Sequence, residues 1–413
     1  MTVNIASPEF KADPYPFYAH LRATAPVHPV TLPDKRTAWL ITRYDDALAA
    51  LKDPRFVKNR RTALTAQQAA RQPWTPGVLK ALERNMLDLD APDHTRLRSL
   101  VHKAFTPRLV EEMRARIQAL TEALLDAVGE GGRAGGEGGR MDLIRDYALP
   151  LPTTIIAQML GVPVADRAKF QRWSTAIITA TAGNGWLLLR VLPPAWAFMR
   201  YIRKLIQARR AEARDDLVSA LVQAEEAGDQ MSEDELLAMV FLLLVAGHET
   251  TVNLIGNGVL ALLEHPDQLA RLRGDPELIK PAVEELLRFA SPVETATERY
   301  AREDVAIAGV TIPRGELVLV ALASANRDER QFADPDTLDL TREPNRHLAF
   351  GMGVHYCLGA PLARLEGQIA INTLLRRAPD LRLAVAPAAL RWRPGLFLRG
   401  LKALPVELGG RFN

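Results

Sequence analysis

Phe350-Gly351-Met352-Gly353-Val354-His355-Tyr356-Cys357-Leu358-Gly359-Ala360 holds the only cysteine of the chain, framed by three glycines. The glycines permit a tight loop in which backbone N–H groups approach the sulfur. The periodic apolar residues that follow predict a helix over 358–377, whose positive N-terminal end lies beside the thiol. Both effects favour a thiolate. One cysteine in 413 residues excludes a disulfide scaffold, a zinc site of several thiolates and a four-thiolate iron–sulfur cluster. Three roles remain for Cys357: a nucleophile, a single axial ligand to a metal held by something else, or a small buried apolar side chain.

Upstream of this loop the chain reads as mainly helical. Apolar residues recur at three- and four-residue steps over Tyr15–Thr24, 44–51, 94–105 and 107–128. Ser232 and Glu235 form a capping box that opens a helix running until His265 meets Pro266; at ~1.5 Å per residue it spans about 50 Å and must be a central element. Seven of the twelve residues 129–140 are glycine, which predicts a flexible connection with no G-K-[ST] to make it a phosphate loop. After Pro292 short β-like runs alternate with turn residues and predict a small sheet. The segment 326–359 is rich in Pro, Asp, Asn and Gly, and a long irregular stretch of this kind is usually functional.

Composition excludes several classes. With 52 basic and 49 acidic residues interleaved, a net charge of +3 gives no broad cationic face for nucleic acid. The amino terminus lacks the pattern of a secretory signal, so a cytoplasmic protein is expected. The apolar run 236–247 ends at His248-Glu249-Thr250 and is too short for a bilayer span of ~20 residues, so it reads as a buried helix. The apolar stretch 186–199 carries Arg190, Pro193 and Pro194, which predicts a hydrophobic surface loop or entrance lid rather than a membrane helix.

Three further motifs accompany the cysteine. Glu285-Leu286-Leu287-Arg288 puts a carboxylate and a guanidinium on one helix face, where they can pair. Ala246-Gly247-His248-Glu249-Thr250-Thr251 interrupts an apolar helix with a small pair, a carboxylate and a hydroxyl. There Thr250 can bend the helix by bonding a carbonyl one turn earlier. His94-Thr95-Arg96-Leu97-Arg98 supplies cations near the start of a helix. The cysteine loop resembles the haem-ligand loop of the cytochrome P450 family, and the three motifs resemble that family's structural Glu-x-x-Arg, its oxygen-activation motif and a propionate-binding segment.

The resemblance covers essentially the whole chain and implies one haem domain over 1–413, mainly α with a small β subdomain and a long central helix over the haem. The implied cofactor is haem b. Cys357 would ligate the iron, with Phe350 and Gly359 in its loop. His94, Arg98, Arg299 and His355 would meet the propionates, while Arg96 faces solvent. Arg342 would complete the Glu285–Arg288 cluster that braces the cysteine loop. Gly247 would leave room for dioxygen, with Glu249 as proton conduit and Thr250 as proton donor, the two catalytic residues. His248 would point away from the haem.

The implied reaction inserts one oxygen atom of dioxygen into a C–H or double bond. Electrons would come from a separate ferredoxin-type donor with its NAD(P)H-dependent reductase. Arg98, His102, Lys103, Arg108, His347 and Arg364 would receive that acidic partner. The segments 62–89 and 170–199, with Val293, Glu294, Leu396, Phe397, Leu242, Leu243 and Ala246, would enclose an apolar small molecule, Glu294 adding a polar handle. A peroxide-driven peroxygenase and a non-catalytic haem sensor are the alternatives, and the Glu249–Thr250 pair argues against both.

Overall fold

The computed structural model describes residues 3–70, 84–135, 139–170, 172–173, 187–226, 231–410 and 412. They form two compact units: Met1–Phe56, Met113–Leu151 and Thr250–Asn413 in the first, Val57–Glu112 and Pro152–Glu249 in the second.

The strands are β1 (Val27–Thr31), β2 (Thr37–Ile41), β3 (Phe56–Val57), β4 (Arg140–Asp142), β5 (Arg299–Ala301), β6 (Val305–Ile307), β7 (Val310–Ile312), β8 (Leu317–Val320), β9 (Arg382–Leu383) and β10 (Pro405–Glu407), all in the first unit except for Val57. The main sheet has the order β1-β2-β8-β5-β3; β4, β10 and β9 form a second sheet, and β6 and β7 a hairpin. All four residues of β8 are buried, so its sequence is a continuous apolar run instead of an alternation. It pairs in parallel with β2, from Ala38 opposite Leu317 to Ile41 opposite Val320. The apolar core on this sheet takes in Tyr44, Phe332 and Leu348. Leu348 thereby anchors the chain just before the cysteine loop.

The long helix is observed over Glu233–Glu264, 32 residues or about 48 Å. Its capping box forms as expected: the Ser232 N–H donates to Glu235 Oε2 at 2.7 Å and the Glu235 N–H to Ser232 Oγ at 3.2 Å. Every residue of 251–260 is buried. Within the first unit this half of the helix lies close to the Ala360–Arg377 helix. A Cβ added at Gly367 would come within 2.9 Å of Leu254 Cδ2, so a side chain there would make the Leu254 side chain shift. By length and hydropathy it is the one described helix that passes as a membrane span, and burial of 61% of its most apolar window identifies a core helix.

In the second unit the Leu187–Ala211 and Leu217–Glu226 helices accompany Asp93–Ala104. Phe198 joins Phe170 and Phe241 in an aromatic cluster, with ring centroids 5.5 and 6.0 Å apart. Buried Arg209 donates to Gly161 O at 2.7 Å and pairs with Asp216.

Two expectations are corrected. Residues 187–199 of the stretch 186–199 are not a loop: the Leu187–Ala211 helix runs through Pro193 and Pro194. Burial of Phe198, Met199, Ile202, Leu205 and Ile206 at helical spacing outweighs the two missing N–H donors. The connection expected over 129–140 begins later, because the Arg114–Gly135 helix carries through the first glycines on the strength of buried Ile117, Thr121 and Leu125. Residues 136–138, and 71–83, 171 and 174–186 of the segments expected to enclose substrate, lie outside the described residues.

Candidate active site around the cysteine loop

Cys357 sits two residues before Gly359, the N-cap of the Ala360–Arg377 helix, with its thiol exposed. The loop is closed by its own backbone: the Cys357 N–H donates to Phe350 O at 2.9 Å and the Gly351 N–H to Leu348 O at 2.8 Å. Gly353 has φ +73°, and a Cβ there would stand 2.7 Å from Leu51 O, so only glycine lets the loop lie this close to the chain. His355 ends a short 3₁₀ turn, Gly353–His355, and is half-buried.

The loop is braced from two sides. Glu285 and Arg288, both fully buried, form a bidentate pair with two contacts of 2.8 Å. Arg342 Nε adds a third contact to Glu285 Oε1 at 3.2 Å, as the resemblance implies. Arg288 also donates to the carbonyls of Asn326 (3.0 Å), Pro335 (2.7 Å) and Thr337 (3.1 Å), which fixes the irregular segment. The second brace was not legible in the sequence. Glu284 accepts from Arg364 at 2.7 and 2.9 Å and lies 3.0 Å from His347 Nε2; the Arg364 guanidinium covers the Phe350 ring at 4.5 Å. Burial opposes ionisation of Glu284, but these partners overcome it and hold its carboxyl down at about 2. His347, its side chain almost fully enclosed, and half-buried Arg364 both spend their charge on Glu284 as struts of the loop. His102, Lys103 and Arg108 are exposed, Arg108 paired with Glu112 at 2.8 Å.

Arg299 lies on β5, opposite Val318, and is buried. Ala246 and Gly247 are exposed on a helix that is otherwise largely buried, and a Cβ at Gly247 would meet only Ile156 Cδ1, at 3.8 Å. His248 is buried while its neighbours open outward. Glu249 and Thr250 follow, half-buried, with no break in the helix. In the second unit His94 is buried on the Asp93–Ala104 helix; burial and the nearby Arg98 charge push its imidazole pKa down. Arg96 does not face solvent alone, as it pairs with Glu235 of the capping box.

Two buried carboxyls complete the picture. Glu294 is no polar handle for a substrate: Lys11 Nζ at 2.9 Å and Tyr18 OH at 2.6 Å engage its two oxygens, pinning the N-terminal segment to the fold. Its backbone does approach the tail, donating to Phe397 O at 2.8 Å. Glu366, on the Ala360–Arg377 helix, was missed. It is 2% exposed, burial pushes its pKa up to about 8 against a hydrogen bond with Thr251, and it therefore holds a proton at neutral pH. A glutamate within an apolar helix face was the signal that could have found it.

The first unit presents an exposed thiol on a glycine-bound loop at a helix N-terminus together with the buried Arg299; the second carries the buried His94 and the notch at Ala246 and Gly247; the chemistry of these donors, taken unit by unit, fits a haem held by thiolate. The cytochrome P450 family profile matches residues 35–378. The polyketide biosynthesis cytochrome P450 PksS of Bacillus subtilis is 45% identical over 405 residues, 97% of each chain. The cytochrome P450 monooxygenase PikC of Streptomyces venezuelae is 47% identical over 406 residues, covering 97% of this chain and 92% of that one. Among solved structures, myxobacterial cytochrome P450 CYP267B1 in complex with myristic acid superposes with a TM-score of 0.90 at 44% identity, over 98% of each chain.

The protein is thus a haem-thiolate monooxygenase. It belongs to the cytochrome P450 family, with the mainly helical fold and the haem b of that family.

Proposed function

We infer that the chain works as one haem domain, 1–413, in the cytoplasm, and oxygenates an apolar small molecule with electrons from a ferredoxin-type donor and its NAD(P)H-dependent reductase. Cys357 holds the iron; His94, Arg98, Arg299 and His355 hold the propionates; Phe350 and Gly359 shape the thiolate loop. The haem supplies the activation of dioxygen, and the protein supplies ligand, protons and substrate position. Gly247 leaves space at the helix. Glu249 takes protons from solvent at its carboxylate, and the Thr250 hydroxyl passes one to the oxygen being reduced.

The exposed Ala246–Gly247 notch, followed at once by the half-buried Glu249 and Thr250 on the same helix, carries this reading. An adjacent carboxylate and hydroxyl can relay protons, which dioxygen reduction consumes and a peroxide-driven reaction does not. The substrate class draws support from the relatives, one named for polyketide biosynthesis and one bound to myristic acid. Polyketide- and fatty-acid-derived chains are therefore the first to screen, through the spin-state shift that follows displacement of pocket water.

Thr250→Ala tests the proton role. Substrate affinity stays within about twofold, while product formed per electron falls about tenfold or more and hydrogen peroxide accumulates, as general acid catalysis contributes at least this much. Unchanged coupling removes Thr250 from the proton path.

A further inference from the structure

Lys11 grips both sides of one short ladder within the first unit. The stretches 292–295 and 396–399 pair antiparallel through the Val293–Leu398 bridge. The Glu294 N–H donates to Phe397 O at 2.8 Å, the Thr295 hydroxyl to Leu396 O at 2.9 Å and the Arg399 N–H to Pro292 O at 3.0 Å. On one side of the ladder the Lys11 ammonium donates to the Glu294 carboxylate at 2.9 Å, and the Tyr18 hydroxyl donates to its other oxygen at 2.6 Å. On the other side Arg399 Nε donates to the Lys11 carbonyl at 2.8 Å and Nη2 to the Ala12 carbonyl at 3.2 Å.

Lys11, Tyr18 and Glu294 are each fully buried. Stability alone does not account for the arrangement, because a buried ion pair gives back much of its attraction in lost hydration and an apolar pair of similar volume often holds a fold as well. What the ion pair adds is placement. Hydrogen bonds fix distance and angle at the gripped side chains, whereas an apolar contact can slide. Val293 precedes Glu294 in the chain and Phe397 is bonded to its backbone, so the grip on Glu294 and Arg399 sets where both stand. Val293, Leu396 and Phe397 are only partly buried.

We propose that Lys11 and Tyr18 are positioning residues for the substrate: by gripping Glu294 and Arg399 they set the place of Val293, Leu396 and Phe397 in the pocket wall. This role rests on the reading of those three residues as substrate wall, and it is exerted through the ladder.

Two haem ligands test it in the haem-loaded protein: imidazole, which needs only the iron, and N-octylimidazole, whose chain has to run along the wall. Haem absorption gives both affinities, and the bond to iron cancels in their ratio. Tyr18→Phe removes one hydrogen bond at Glu294, and the double change Lys11→Met with Glu294→Gln removes the ion pair without leaving a lone buried charge. Each lowers the preference for N-octylimidazole about fivefold, while imidazole affinity stays within about twofold. Tyr147→Phe is the control, since it loses an equally buried hydroxyl bond, to Ala370 O at 2.7 Å, and leaves the preference unchanged. Phe397→Ala tests the wall itself and lowers the preference about fivefold or more. An effect of Phe397→Ala with none of Tyr18→Phe or the double variant overturns the positioning role and leaves the wall reading intact. No effect of Phe397→Ala overturns the wall reading and the role with it. An equal effect of Tyr147→Phe also overturns the role, by reducing the grip of Lys11 and Tyr18 to ordinary stability.

Discussion

Thr251 hydrogen-bonds the Glu366 carboxyl where burial has pushed that carboxyl's pKa up to about 8, so two adjacent helices share a protonated acid next to Glu249 and Thr250. The pair has a thermodynamic signature. Unfolded, the group ionises near 4.5; folded, it keeps its proton until about 8. Between these values the folded state binds one proton more than the unfolded state, so this group's contribution falls as pH rises, by about 1.4 kcal/mol per pH unit, and levels off above about pH 8. Glu366→Gln, neutral at every pH, removes that component. Urea unfolding of both proteins across this range checks it, and parallel curves would show that Glu366 is not held neutral.

The Glu285–Arg288 pair predicts a different cost. Both side chains are fully buried, and Arg288 ties three carbonyls of the irregular segment as well as the carboxylate. Arg288→Leu leaves Glu285 buried with only Arg342 as cationic partner and should cost about 3–5 kcal/mol. Haem absorbance should be lost at lower urea than helicity, since the cysteine loop loses its brace first. A loss below about 1 kcal/mol, or simultaneous transitions, contradicts the bracing role.

Gly353→Ala should destabilise the haem-loaded protein by about 1–3 kcal/mol, from positive-φ strain and the close approach to Leu51 O. Gly274→Ala, where an added Cβ meets nothing within 4 Å, is the matched control and should stay within about 0.5 kcal/mol. Thermal unfolding of the two variants separates them; equal shifts would mean that the loop relaxes around the methyl group.

What the sequence made legible was local or carried by a motif. The cysteine loop, the Ser232–Glu235 box and the Glu233–Glu264 helix each announce themselves within a few residues, by glycine spacing, cap chemistry or apolar period. Arg342 was reached only through family resemblance, because nothing local relates it to a glutamate 57 positions earlier. The missed features are long-range partners of ordinary-looking residues. Glu284 reads as a surface helix acid until Arg364 and His347 arrive from 80 and 63 positions away. Glu294 reads as a pocket group until Lys11 folds back over 283 positions. Pro193 and Pro194 misled for a different reason: local propensity argued for a break, and burial of the helix's apolar face overrode it.

The claim on which the account rests is that Cys357 holds the haem iron as a thiolate. The absorption spectrum of the reduced protein under carbon monoxide tests it most directly. The wild-type protein should show the strongly red-shifted Soret band of thiolate ligation, and Cys357→His should bind haem while losing that shift. A wild-type band at the position of a histidine-ligated haem, or a red shift that survives in Cys357→His, would contradict the assignment.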